Sequence, residues 1–235
     1  SLESLLVFLR ESKIAYSSVN IGDVFKKDVL KTETMVELSP MHAVILAFDV
    51  KVDKEAQEIA RQVGVKIFQA NIIYHLQEKF AQYVLDFRET QKKARWDDAI
   101  FPCVLHILPE CIFNMKDPLV CGVGIDEGEI RTNSILRVIT DKDSFVIGKV
   151  ISIEKDKKSI ERAVAGENVA VKIAALPGSS ESSHRYYGRH FDHKSEIVSD
   201  ISRKTIDVLK EFYRSEMTTD YWRLVVNLKS KLKIA

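Results

Sequence analysis

The chain is poor in cysteine and has no long apolar run. Its three cysteines, Cys103, Cys111 and Cys121, are odd in number and lack CxxC spacing, which excludes a disulfide framework or a paired-cysteine metal motif. They read as reduced core thiols. The longest purely apolar run is AVILAF at 43–48, far short of the roughly 20 residues that cross a bilayer. The N-terminus carries neither a signal nor a transit pattern, so no membrane association is expected. Neither sign of charge is in excess, since 35 Lys and Arg face 34 Asp and Glu. Anion binding must therefore come from local clusters and not from the field of the whole molecule. GxxxxGK[ST], GxGxxG and GxSxG are all missing, which leaves a phosphate cradle, a dinucleotide loop and a hydrolase elbow unsupported. Ser1 stands where a Met would open a complete product, so the chain reads as a piece of something longer.

What is present is two kinds of periodicity. Up to about residue 70 the pattern alternates: helix 1–12, strand 14–20, helix 22–37, strand 42–50, helix 53–63 and strand 65–69. Alternation of this kind predicts a mainly parallel sheet with crossover helices. Asp53 is placed to cap the third helix and Gly64 to end it. A longer helix is predicted over 71–95, with Ile72, Ile73, Leu76, Phe80, Tyr83, Val84 and Phe87 at helical spacing. The following RETQKKAR is polar all round but helix-favouring, which predicts a semi-rigid connecting helix of about 37 Å over 71–96 that marks a domain boundary. Beyond it, CVLHIL, PLVCGVGI, SILRVI, FVIGKVISI and NVAVKIAAL are short strand-like runs broken by Pro, Gly, Asp and Asn. They predict an antiparallel barrel or sandwich over 97–178. A junction and two helices, 202–214 and 219–233, complete the chain to 235, with Ser202 and Thr218–Asp220 as caps.

Two stretches carry candidate chemistry. HRYYGRHFDHKS at 184–195 sets His184, His190 and His193 near Asp192, a spacing that could hold zinc. The same stretch interleaves Arg185, Arg189 and Lys194 with Tyr186, Tyr187 and Phe191, the mix that supplies phosphate contacts and stacking faces. A plain structural joint uses those residues equally well. The last two helices carry Leu209, Phe212 and Tyr213 on one and Trp222, Leu224, Val225, Val226 and Leu228 on the other. That is more apolar surface than docking alone needs, and Lys210, Arg214, Arg223, Lys229, Lys231 and Lys233 surround it. Internal packing and a groove for an acidic, apolar partner are both consistent with this.

Several ordered strings, SLESLLVFLR, VNIGDVFKKDVLK, AVILAFDVKVDKEA, KIFQANIIYHL, AIFPCVL, IGKVISIE, YGRHFD and TTDYWRLVVNLK, together resemble the C-terminal half of the eukaryotic translation initiation factor 5B family, relatives of bacterial initiation factor 2. The resemblance implies an α/β/α sandwich at 1–70 lacking its first strand, the connecting helix, and an elongation-factor-type antiparallel β-barrel carrying two C-terminal helices. It also implies a ribosome-dependent GTPase that promotes subunit joining in the cytoplasm. The catalytic domain, with its GTP and Mg, is expected to lie outside this chain, which would then be non-catalytic and monomeric. Implied partners are the ribosome, the acceptor end of initiator methionyl-tRNA and the acidic C-terminal tail of initiation factor 1A. For the acceptor end the implied positions are Val123, Gly124, Lys155, Glu167 and Asn168, with Arg131 added on charge. For the tail they are Leu209, Lys210, Phe212, Trp222, Val225, Val226 and Lys229. Arg189 and His190 are candidates for an RNA-backbone contact. The alternative from another class is an RNA-binding metalloenzyme built on His184, His190 and His193.

Overall fold

The computed structural model describes residues 2–140, 143–178 and 185–234. The chain divides into two compact units, 1–91 and 92–235.

In the first unit two strands, β1 (Val44–Phe48) and β2 (Lys66–Ala70), pair in parallel from Val44 opposite Lys66 to Phe48 opposite Ala70. Strand side chains alternate between faces, and the two faces are buried under different helices. Ile45 and Ile67 pack with Val29, Ala56 and Ala60 of α2 (Lys26–Leu38) and α3 (Lys54–Val63). Leu46, Phe48 and Phe68 pack with Leu5, Leu9 and Leu76 of α1 (Leu2–Glu11) and α4 (Ile73–Ala94). The result is an α/β/α sandwich. The strand expected at 14–20 does not form; that stretch has no ladder partner. Only Ile14 reaches the core, while Val19 is 40% and Ile21 96% exposed, so the alternation there has no buried face to satisfy. Helix α2 starts four residues later than its pattern suggests, where the Asp28 carboxylate accepts the Phe25 N–H at 2.9 Å.

Helix α3 is bounded as its punctuation predicts. The Asp53 carboxylate accepts the Glu55 N–H at 3.2 Å, and Gly64 takes the left-handed conformation, φ +84°. Asp53→Ala is expected to lower the stability of this unit by about 1 kcal/mol, read as a shifted midpoint in urea; no shift would mean that solvent caps α3 equally well.

The second unit is built on β3 (Cys103–Asn114), β4 (Leu119–Arg131), β5 (Ile135–Ile139), β6 (Ser144–Lys155), β7 (Lys158–Ile160), β8 (Arg162–Val164), β9 (Asn168–Ala174) and β10 (Glu196–Ser199). Antiparallel pairing runs β3-β10-β5-β6-β9-β4 and returns to β3, closing a six-stranded barrel; β7 and β8 extend β6 and β4. Alternate positions fill the interior, among them Leu105, Ile107, Val123, Leu136, Val138, Ile153, Val171 and Ile197. Cys103 and Cys121 are buried, and burial pushes both thiols up to about 12, which makes them inert packing groups. A second core joins the barrel wall to α5 (Arg203–Phe212) and α6 (Thr219–Lys231) through Phe101, Val198, Ile206, Leu209, Tyr213, Leu224, Val225 and Leu228. Ser202 and Thr218 cap these helices by accepting the Thr205 and Tyr221 N–H groups.

Candidate functional site

On the barrel's outer wall, β3, β4 and β9 lie side by side, with His106 opposite Gly124 and Gly124 opposite Asn168. One level along, Gly122 lies opposite Ala170. Two glycines in one outward row leave a trench, because no side chain rises from its floor. Strand β3 slips register between Ile107 and Ile112. This bulge, which accommodates Pro109, brings Leu108 and Cys111 over Gly122, whose missing Cβ would meet the Cys111 Cβ at 2.6 Å. The trench opens into a cleft of about 470 Å³, walled by Leu108, Cys111, Phe113, Val120, Val169 and Ala170 and bordered by Glu154, Lys155, Asp156, Lys157 and Asn168.

At the rim, Lys155 Nζ donates to Glu167 Oε1 at 2.6 Å, while Glu167 Oε2 accepts the Val164 N–H at 2.9 Å. That hydrogen bond raises the Lys155 pKa and, with the Val164 N–H second, lowers that of Glu167. Asp156 and Lys157 both have positive φ, +51° and +64°, at the two-residue turn between β6 and β7, as a tight hairpin requires. Lys157 has no ion pair among the described residues and so supplies the rim's unpaired cation.

Of the six positions assigned to the acceptor end, Gly124, Lys155, Glu167 and Asn168 thus gather at one corner. Val123 faces the barrel interior and is fully buried. Arg131 lies at the far end of β4 inside a buried ion network: it donates to Glu129 and, at 2.9 Å, to Glu216. Its guanidinium lies 3.4 Å over the Phe101 ring. Lys92 closes on Glu216 at 2.7 Å, and the Tyr221 hydroxyl donates to Glu129 at 3.2 Å. Leu108, Cys111, Gly122 and Lys157 were not foreseen. The bulge that positions the first two depends on strand register, although Pro109 within an apolar run was a signal for it.

Burial tends to raise the Glu216 pKa, but the hydrogen bonds from Lys92 and Arg131 outweigh it and hold the carboxyl below its usual range. A carboxyl depressed in the folded state contributes stability above its unfolded pKa and loses it as pH falls through the folded value. The second unit should therefore lose stability on acidification below the ordinary carboxylate range, and Glu216→Gln should flatten that part of the curve. Identical pH profiles in urea for the two proteins would show that Glu216 is not the linked group.

The terminal helices divide their predicted surface. Leu209 and Val225 are consumed by the second core. Phe212 and Trp222 are half-buried, Val226 is 69% exposed, Lys210 is exposed and Lys229 partly so. Arg223 pairs with Asp220 and Lys231 with Glu196, whereas Lys210, Arg214, Lys229 and Lys233 carry no ion pair among the described residues.

The aromatic stretch is bound into the barrel. Phe191 sits edge-on to both Phe145 and Tyr187, at 6.0 and 5.8 Å. Arg185 lies over Phe145 and pairs with Asp143. His190 Nδ1 accepts the Tyr186 N–H at 3.1 Å, and Arg189 is exposed. His184 lies outside the described residues. Among those described, no three His, Cys, Asp or Glu side chains are grouped to hold a metal, so the metalloenzyme alternative finds no support. Nor is any described helix long and apolar enough to cross a membrane.

Comparison with known proteins agrees with both units. Residues 1–81 match the family model of translation-initiation factor 2, and residues 101–178 that of elongation factor Tu domain 4. Rat eukaryotic translation initiation factor 5B is 43% identical across the whole chain, which spans 19% of that protein. The Saccharomyces cerevisiae factor 5B is 40% identical over 97% of the chain and 23% of its own length. A probable translation initiation factor IF-2 from Methanocaldococcus jannaschii is 35% identical over 74% of the chain. The crystal structure of GDP-bound aIF5B from Aeropyrum pernix is 28% identical, with 96% of this chain and 39% of that one covered and a TM-score of 0.40. The chain spans about a fifth of the length of the factor 5B relatives it matches. It belongs to the family of translation initiation factor 2 and eukaryotic translation initiation factor 5B.

Proposed function

We propose that this chain is the recognition part of a translation initiation factor: the barrel holds the acceptor end of initiator methionyl-tRNA, and the terminal helices hold the C-terminal tail of initiation factor 1A. The carrying observation is the glycine-floored cleft. Its apolar walls suit a methionyl side chain, and Lys155, Lys157 and Asn168 stand where a phosphate and a nucleotide would arrive. On this reading the chain acts on the ribosome in the cytoplasm to help subunits join, as a monomer. The hydrolysis of GTP with Mg belongs to a domain beyond this chain, in keeping with its lack of a phosphate loop.

Titration with initiator methionyl-tRNA at fixed salt tests the first half. Lys157→Ala and Asn168→Ala should each weaken binding by about three- to tenfold, the range for one charge-assisted or neutral hydrogen bond, and deacylated tRNA should bind less well than the methionyl form. Equal affinities for all would refute the cleft as the site. For the second half, Trp222→Ala with Val226→Ala should abolish binding of an acidic, aliphatic tail peptide. Unchanged affinity in a folded protein would remove the groove from the proposal.

A further inference from the structure

Beside the cleft is a pair of side chains that neither the sequence nor the family positions picked out. His106 projects from β3 on the outer wall, and its Nδ1 lies 2.9 and 3.0 Å from the two oxygens of the Asp126 carboxylate. A carboxylate only accepts hydrogen bonds, so Nδ1 carries a proton, and whenever the ring is in its neutral form the opposite nitrogen, Nε2, presents a lone pair. The ring lies across Gly124. A Cβ at that position would meet His106 Cε1 at 2.6 Å, His106 Nε2 at 2.8 Å and Asn168 Oδ1 at 3.1 Å. Glycine is therefore required for the ring to lie there, and His106 Nε2 and the Asn168 amide oxygen converge on the same spot of trench floor. Neither has a hydrogen-bond partner among the described residues. The dyad is half-exposed, so it answers no folding need comparable with the buried ion pairs.

We propose that His106 and Asn168 form a subsite for the terminal ribose of the bound RNA, with Asp126 as the positioning residue that fixes the imidazole. A 2′-hydroxyl both donates and accepts. It would donate to His106 Nε2 and accept from Asn168 Nδ2 once the amide turns over to present its NH2, a turn that no hydrogen bond among the described residues opposes, whereas a deoxyribose would leave both groups unpaired. This rests on the acceptor-end reading above and names the chemical group that the corner distinguishes.

The probe is a short RNA hairpin ending in CCA with methionine joined through a stable 3′-amide, made with either a ribose or a 2′-deoxyribose at the last nucleotide. The complete 235-residue chain should bind the ribose form about fivefold more tightly, the scale of one neutral hydrogen bond. His106→Ala should bind both forms equally, near the level of the deoxy probe, with an unchanged melting curve. Asp126→Asn should give an intermediate ratio, because the ring remains but is no longer held in one tautomer; a merely structural role for Asp126 would leave the ratio alone. Equal binding of both probes by the unaltered chain would overturn the subsite while leaving the acceptor-end reading intact. A ribose preference that survives in His106→Ala would assign it to another group and also overturn the subsite. Binding of neither probe would overturn both readings together.

Discussion

Arg131→Met is expected to destabilise the second unit by about 3–5 kcal/mol, the cost of removing one partner of a buried ion pair. The side chains of Arg131 and Glu129 are only 6% and 4% exposed, so the carboxylate left behind would have no route to water. Tyr221 still donates to Glu129, and the exposed Arg162 stands 3.9 Å from its carboxylate, but one neutral donor and one long pair to a solvated cation do not offset a buried charge. Glu216 would lose one of its two cations and keep Lys92. The measurement is unusually clean because both tryptophans of the chain, Trp96 and Trp222, lie in this unit, so their fluorescence in urea reports its unfolding. Adding Glu129→Gln to the variant should recover much of the loss, since the orphaned charge is then absent. A loss below about 1 kcal/mol, typical of an exposed pair, would show that water reaches the network. The same variant separates structure from recognition: the network holds Arg131 away from the cleft, so weaker RNA binding should follow only from unfolding.

Gly128→Ala is expected to cost about 3 kcal/mol or more by the same fluorescence measurement. Gly128 combines two requirements. Its φ is +80°, where a Cβ costs roughly 1–2 kcal/mol. A Cβ there would also press into the Pro102 carbonyl oxygen and approach Leu224 Cδ2 at 2.8 Å, and overpacking of that kind adds about 1–3 kcal/mol. The oxygen cannot yield easily, because it accepts the Glu129 N–H at 3.0 Å. Gly166 is the control: its φ is +88°, but the space around it is open. Gly166→Ala should show only the conformational part, about 1–2 kcal/mol. Equal losses at the two positions would mean that backbone conformation alone, and not close approach, makes Gly128 necessary.

The helices and barrel strands were legible because their evidence is local. A stripe at 3.6 residues or an alternation at 2 reports which face is buried regardless of what covers it, which is why α3, α4 and the strands around Cys121 and Val171 could be read directly. The stretch at 14–20 failed for the complementary reason: a strand exists only with a partner, and its weak alternation had none. At the candidate site the amino-acid types pointed to anion and apolar recognition, but their grouping was not local. Lys155 and Glu167 could be placed together from the resemblance, since they flank one short hairpin and its return strand. Arg131 carried the same charge signal, yet its partners Glu216 and Phe101 lie on either side of it in sequence, at separations of 85 and 30 residues.

What the residues alone determined, then, is the kind of each element, the change from crossover helices to a barrel, the absence of a phosphate loop and the family itself. Tertiary structure decided which cations are free and which are consumed. It decided that two glycines form one trench floor, that a bulge swings Leu108 and Cys111 over it, and that His106 rests on Gly124 beside Asn168. Those outcomes depend on strand register. A slip of one residue exchanges the inside of a barrel for its outside, and no single strand's sequence records which neighbour it will meet.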